Sequence, residues 1–334
     1  MLITWDDTWN IESFKELFEW GEWSEGPSTL TYVARQIRFE PLAEGMSVVV
    51  FQEKSVRAIG GTKVNAKRLS EESALVASEK TEFKSCVGSL QFLASNSRPD
   101  LAAGTSLIQG SNLTPLNLSM AYKLIDYAKE TSLDGIRIRA FDLSKRLFVG
   151  YGDSSWANAE GLRTQIGNIV VVTTTSAFNG SSPASVMDWR SSRTKRVIRS
   201  TLAGEASAAD VAADTAYFTA ALFDEALSGK RTTKNAPFSP HIICTDCRSL
   251  YDAITKVMLS VHEKRTLIDL LSVRETTGAS GVYWVPTNEQ HADGLTKLDR
   301  KLTEALRAYM MMSYVSLREI DKPVEVISDG EETP

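Results

Sequence analysis

Cysteine is scarce: Cys86, Cys244 and Cys247 are the only three in 334 residues, too few for a disulfide framework. The last two form one isolated C-x-x-C. A second pair is missing, and the three histidines (His241, His262, His291) do not fall at finger spacing, which argues against a zinc module. No run of about 18 apolar residues occurs. The start MLITWDDTWN lacks the basic, apolar, small-residue order of a signal peptide, so the chain reads as soluble and intracellular, cytoplasmic or nuclear, with no membrane partner. An excess of positive charge is also lacking. The formal net charge of −5 argues against coating nucleic acid by bulk electrostatics and leaves that role to a local stripe. No internal repeat is evident.

What is present is ordinary globular material, 43% apolar and 24% charged, enough for roughly two domains with real cores. Residues 1–60 alternate LITW, the helical IESFKELFEW, and the strand-like TYVARQIRF and MSVVVFQ, as in a piece of an α/β domain. Residues 61–79 are small and polar and read as a linker. Residues 80–142 carry helical periodicity, with Phe83, Val87, Leu90 and Leu93 on one stripe and a second run through MAYKLIDYAKE.

Over 143–300 the order is three meander strands (KRLFVGYGD, QIGNIVVVTT, ASVMDWRS) and a long helix from Ser200, followed by strand PHIICTD, helices CRSLYDAITKVM and KRTLIDLLSVRETT, and strand GVYWVPT. That order implies an α/β (α+β) fold with a mixed sheet and flanking helices. A helix is expected over 301–318. The tail 319–334 has six acids against one lysine and is expected to be disordered.

Four acids fall where these elements would bring them together. Asp153 ends the first meander strand, Glu205 lies in the first turns of the long helix, Asp246 closes the fourth strand, and Asp293 follows the last. Neighbouring strand ends lie about 4.8 Å apart, within reach of one cation. Clustered carboxylates repel in a desolvated cleft unless a hard cation offsets them, and magnesium is the natural candidate. Two ions roughly 3.5–4 Å apart can activate water and stabilise the leaving oxygen of a phosphodiester. Each acid taken singly reads equally as a solvated side chain, a helix cap at Asp246 or a turn residue at Asp293. The four in this order on these elements carry the argument.

At these residues the chain resembles the ribonuclease H domain of copia-type LTR retrotransposon Pol polyproteins. GYGDSSWAN is similar to the family's Gly-Tyr-x-Asp-x-Asp-Trp-Ala opening, and DWRSSRTKRVIRSTLAGEA to its Trp-Ser-Ser-Lys-x-Gln and Ser-Ser-Thr-x-Ala-Glu segments. IICTDCRSLYDAI resembles its Asp-Asn-x-Ser-Ala motif, KRTLIDLLSVRE its Arg-Thr-Lys-His-Ile-Asp block, and YWVPTNEQHADGLTK its Val-Pro-Thr-x-x-Gln-x-Ala-Asp-x-x-Thr-Lys signature. Ser155, Cys247 and Leu267 replace the family's second acid, its asparagine and its block histidine. STLAGE is one residue longer than the usual segment.

The resemblance implies a ribonuclease H-like mixed five-stranded sheet over 143–300. It makes Asp153, Glu205, Asp246 and Asp293 the catalytic residues and ligands of two Mg2+ ions, with Mn2+ as a substitute, Glu205 between the ions and Asp293 near the leaving group. It implies an endonuclease acting on the RNA strand of RNA–DNA hybrids, with the rest of the Pol polyprotein as partner. A catalytically silent binding or assembly module is the alternative.

Upstream, FKSCVGSLQFLASNSRPDLAAG and VVVFQEKSV resemble segments following the polymerase palm. Residues 1–60 then read as a palm remnant and 80–142 as a thumb or connection unit. Asp6 and Asp7 follow an apolar strand and do not sit at a tight turn, so no polymerase activity is expected.

Arg190, Arg193, Lys195, Arg196 and Arg199 form the one basic stripe, with no acid among them, and lead straight to Glu205. They are candidates for gripping a nucleic-acid backbone; a solvated edge strand is the plainer reading. Ser154 and His291 are auxiliary candidates, the latter for proton transfer or as an ordinary loop histidine. Cys244 reads as a buried strand residue, and Trp156 and Trp284 as core or cleft-wall aromatics.

Overall fold

The computed structural model describes residues 12, 16, 29–43, 45–61, 64, 66–69, 71, 73–230, 239–256 and 263–317. The readings made of residues 1–10, of Asp6 and Asp7, of His262 and of the acidic tail lie outside them.

The first described elements are strands β1 (Thr29–Tyr32), β2 (Arg35–Leu42) and β3 (Gly45–Phe51). TYVARQIRF is therefore two strands and not one: Val33 and Ala34 both take positive φ, and a tight hairpin turns there. Short helices α1 (Glu53–Arg57) and α2 (Ala66–Leu69) follow, then α3 (Ala77–Asn96), α4 (Ala102–Leu107) and α5 (Pro115–Glu130). The helix thus begins inside the segment expected to be linker. Phe83, Cys86, Leu90 and Leu93 of α3 pack on Leu118, Ala121, Tyr122 and Ile125 of α5, with Val87 at the margin. Strand β4 (Gly135–Arg139), inside the span read as helical, pairs antiparallel with β3 and completes a four-stranded sheet.

The second sheet comprises β5 (Arg146–Ala159), β6 (Arg163–Thr174), β8 (Ser185–Arg193), β9 (His241–Thr245) and β10 (Val282–Trp284), in the order β10-β9-β5-β6-β8; the short β7 (Ser181–Pro183) lies outside it. β5, β6 and β8 run as an antiparallel meander, while β9 and β10 add parallel to β5. This is the mixed five-stranded sheet with flanking helices expected from the element order. Its central strand is buried on both sides, which is why RLFVGYGD reads as an apolar run with no polar alternation.

Helix α6 (Thr201–Ser228) covers one face, its alanines against Phe148, Val170 and Val172. Helices α7 (Arg248–Thr255) and α8 (Lys264–Thr277) pack on α6 through Leu250, Ile254, Leu270 and Val273. The other face, Val149, Tyr151, Ile169 and Val171, receives α9 (Arg300–Met312) through Leu306, Tyr309 and Met310. The helix expected to reach residue 318 stops at Met312 because Ser313 adopts left-handed backbone. Strand β11 (Tyr314–Ser316) then pairs with β7. Arg137 and Arg139 of β4 donate to the α9 carbonyls of Met311 and Met312, tying the two sheets together.

Candidate active site

The site forms beside the end of β9, part-way along β5. The parallel register of the two strands stops at the pair Tyr151–Cys244. Asp153 lies two residues further on, inside β5 and not at its end as the sequence suggested, because β5 continues against β6 to Ala159, and Asp246 directly follows the last residue of β9. Asp153 is buried and Asp246 half-buried.

Glu205 arrives from α6, which lies unusually close to β5. A Cβ at Gly152 would stand 2.8 Å from the Ala208 carbonyl, so only a residue without a side chain lets the helix settle there. One turn back along α6, Ser154 Oγ donates to Glu205 Oε1 at 2.8 Å across 51 residues of sequence. The longer STLAGE segment therefore still delivers Glu205 to β5 at Ser154, next to Asp153 in sequence. Its second oxygen, Oε2, is buried without a hydrogen-bond partner.

Asp293 comes from the loop after β10. Gln290 Nε2 donates to the Gly152 carbonyl at 3.0 Å, Asn158 Nδ2 to that of Thr296 at 2.9 Å, and Ser191 Oγ to that of Leu295 at 2.5 Å. The loop rests on β6 at Gly167, where a Cβ would lie 2.6 Å from Leu295 Cβ. Pinned in this way, the fully buried Thr296 hydrogen-bonds Asp153 through its hydroxyl. Lys297 Nζ sits 2.6 Å from Asp293 Oδ1 and 3.6 Å from Asp153 Oδ2.

The electrostatics follow from crowding acids in a dry place. Burial pushes the Asp153 carboxyl well above the usual range; Asp293 and Asp246 add to the rise, and Lys297 and Thr296 oppose it. Burial likewise raises Glu205, helped by Asp153 and Asp246 and opposed by the Ser154 hydroxyl. Lys297 is also partly buried, which lowers an ammonium pKa, but Asp153, Asp293 and Asp246 outweigh that and raise it. Among the described residues no three acidic, histidine or cysteine side chains already converge on one point. Asp153 and Asp293 are instead bridged by Lys297.

Lys297, Thr296 and Gln290 are the site residues that sequence reasoning passed over, although all three stand in the TNEQHADGLTK segment. The other sequence candidates divide. Arg190, Lys195 and Arg199 are exposed. Arg196 is paired with Asp269, and Arg193 donates to the Gln109 carbonyl at 3.2 Å and lies 4.0 Å from Glu160.

His291 packs between aromatic rings: its own ring stacks on Tyr309 at 3.6 Å and meets the edge of Tyr151 at 4.8 Å, and burial pushes its pKa down. Cys244 is fully buried with its thiol pKa raised by burial, and it forms no disulfide with Cys247. Trp284 lines the site wall and donates to the Asp246 carbonyl at 3.0 Å. Trp156 is half exposed, its indole N–H bonded to the Ile198 carbonyl.

No protein-family model matches the chain, and no curated protein matches it either. Seven chains of solved structures match, among them the following three. The N-terminal RNase H domain of a Mycobacterium tuberculosis protein, fused to maltose-binding protein, aligns at 15% identity and TM-score 0.29, over 48% of this chain and 94% of that one. RNase H1 of Halobacterium salinarum NRC-1 aligns at 14% and 0.29, over 45% and 94%. The NurA nuclease of Sulfolobus solfataricus aligns at 11% and 0.23, over 56% and 63%. The activity proposed below rests on none of the three.

Proposed function

We propose that this chain is a metal-dependent endonuclease that hydrolyses the RNA strand of RNA–DNA hybrids and belongs to the Pol polyprotein of a copia-type retrotransposon. The observation that supports this is electrostatic nearness: Asp153 feels the charges of Asp293 and Asp246, and Glu205 those of Asp153 and Asp246, each acid standing within a segment that resembles the family's motif. The donor chemistry suits two hard divalent cations, magnesium or manganese. All four side chains offer carboxylate oxygen, and the orphaned Glu205 Oε2 has a lone-pair oxygen buried with nothing to receive it.

When bound, the ions supply polarisation of the attacking water and neutralisation of charge on the phosphate. Asp153, Glu205, Asp246 and Asp293 would be the residues that hold the ions, with Glu205 contributing to both and Asp293 on the leaving-group side. Ser154 fixes the Glu205 rotamer, and Thr296 fixes Asp153. Arg190, Lys195 and Arg199 are exposed cations suited to phosphate contacts. A hybrid duplex is read by its shape and its 2′-hydroxyls, which needs no base contacts.

The test is release of labelled RNA from a hybrid in magnesium, in manganese and in chelator, for wild type and Asp246→Asn. Metal-dependent cleavage by wild type alone is expected. Equal cutting by both proteins, or none with either metal, overturns the reading. A second reading, a silent nucleic-acid-binding module, is favoured by the ammonium of Lys297 standing among the acids. Hybrid binding that is unaffected by chelator and unaccompanied by cleavage would establish that reading.

A further inference from the structure

The acid cluster contains a cation of its own. Among the described residues Lys297 is the one basic side chain that pairs with any of the four acids, and it pairs with two: Asp293 at 2.6 Å and Asp153 at 3.6 Å. Its backbone is held, because Thr296 is locked to Asp153 by its hydroxyl and to Asn158 by its carbonyl. Its side chain is not: it is 39% exposed, against 5% for that of Asp153 and 8% for that of Asp293. The ammonium therefore has a path to solvent that the carboxylates lack. Lys297 bridges Asp153 and Asp293, whereas Glu205, which feels the charge of Asp153 first and of Asp246 second, keeps an unpartnered Oε2.

We propose that Lys297 is a tethered counter-cation that holds Asp153 and Asp293 together in the ion-free protein and competes with one divalent ion, so that the two ions bind in sequence. The inference rests on the metal-site reading above. The side with the orphaned oxygen takes its ion without displacing anything. The side beside Asp293 takes its ion only as Lys297 swings outward, and a tethered ammonium competes as if present at millimolar concentration. The chain thereby stays folded around clustered acids when ions are scarce, and completes its ion pair only when they are plentiful.

Calorimetric titration of the full chain with Mn2+ alone tests this, with thermal melting in chelator as a second measurement. Wild type should show two separated affinities. Lys297→Met should tighten the weaker one about tenfold, drawing the two steps together, and should melt roughly 3 °C lower than wild type in chelator but not in excess Mn2+. Lys297→Arg, which keeps the charge, should retain two separated steps. Two-step binding unchanged in Lys297→Met overturns this inference and leaves the metal site standing. A wild type that takes up no Mn2+ overturns the metal site itself, and this inference with it.

Discussion

The molecule buries charge in two places, and they are built on opposite rules. In the helical unit Arg98 and Asp100 are almost wholly buried yet balanced: the guanidinium forms a two-pronged pair with the carboxylate and its remaining donors reach the carbonyl and hydroxyl of Thr131. Beside the end of β9 one lysine pairs with two buried acids, and a carboxylate oxygen of a third, Glu205, has no partner at all. A buried pair whose donors and acceptors are all satisfied serves the fold; a buried surplus of one sign works against it and is retained where a ligand brings the missing charge.

Breaking each cluster should expose the difference. Asp153→Asn or Asp246→Asn should lower hybrid cleavage about a thousandfold, since each removes several kcal/mol of charge stabilisation around the phosphate, while leaving the melting temperature in chelator unchanged or higher. Arg98→Met should do the reverse. Stranding Asp100 should cost about 3–5 kcal/mol in urea denaturation, with cleavage by the protein that remains folded close to normal.

Packing near each cluster sharpens the contrast. Gly152→Ala must push α6 off β5 and should cost about 1–3 kcal/mol, with loss of Mn2+ affinity as Glu205 moves away. Gly88, on α3 with open space around it, should accept alanine with a gain of up to about 1 kcal/mol. Chemical denaturation of the two variants side by side measures both.

Proton binding gives a smaller effect with a defined sign. Glu205 has a folded pKa raised above its unfolded value, so the native state binds more protons. Stability therefore falls as pH rises out of the ordinary carboxylate range, and the loss is complete only above the raised value. Glu205→Gln removes that loss. In chelator it should melt roughly 3 °C above wild type near about pH 9, with the gap closing towards about pH 5. The smallest effect belongs to the stripe: Lys195→Ala and Arg199→Ala should each weaken hybrid binding and reduce its salt slope by about one. Arg196→Ala should act chiefly on stability by unpairing Asp269.

What the sequence disclosed follows the same division. The sheet was legible because GYGD, IICTD and the alanine-rich helix carry periodicities that burial imposes. The acids stood out because four of one sign on a strand, a helix and two loops make no sense as packing, although Asp153 proves to lie inside β5 and not at its end. Lys297 did not, since a lysine in a polar loop reads as solvated until coordinates place it between carboxylates. Arg193 and Arg196 looked like their neighbours in the stripe, because one-dimensional spacing does not say which side chains turn inward to Gln109 and Asp269. Strand β4 was missed because it is five residues long and carries arginines, whose inward role is to hold the end of α9. His291 was assigned to the cleft by its nearness to Asp293 in sequence, but the ring turns to the α9 face.

The distance along the chain between the parts of the site sets when it can exist. Asp153 lies on the first strand of its sheet, and the hydroxyl that orients it is 143 residues further on. A growing polypeptide emerging at about 5–20 residues per second would thus spend many seconds with its meander formed and its acid set incomplete. The candidate site would be complete only once the closing loop arrives, long after the strand that carries its first acid.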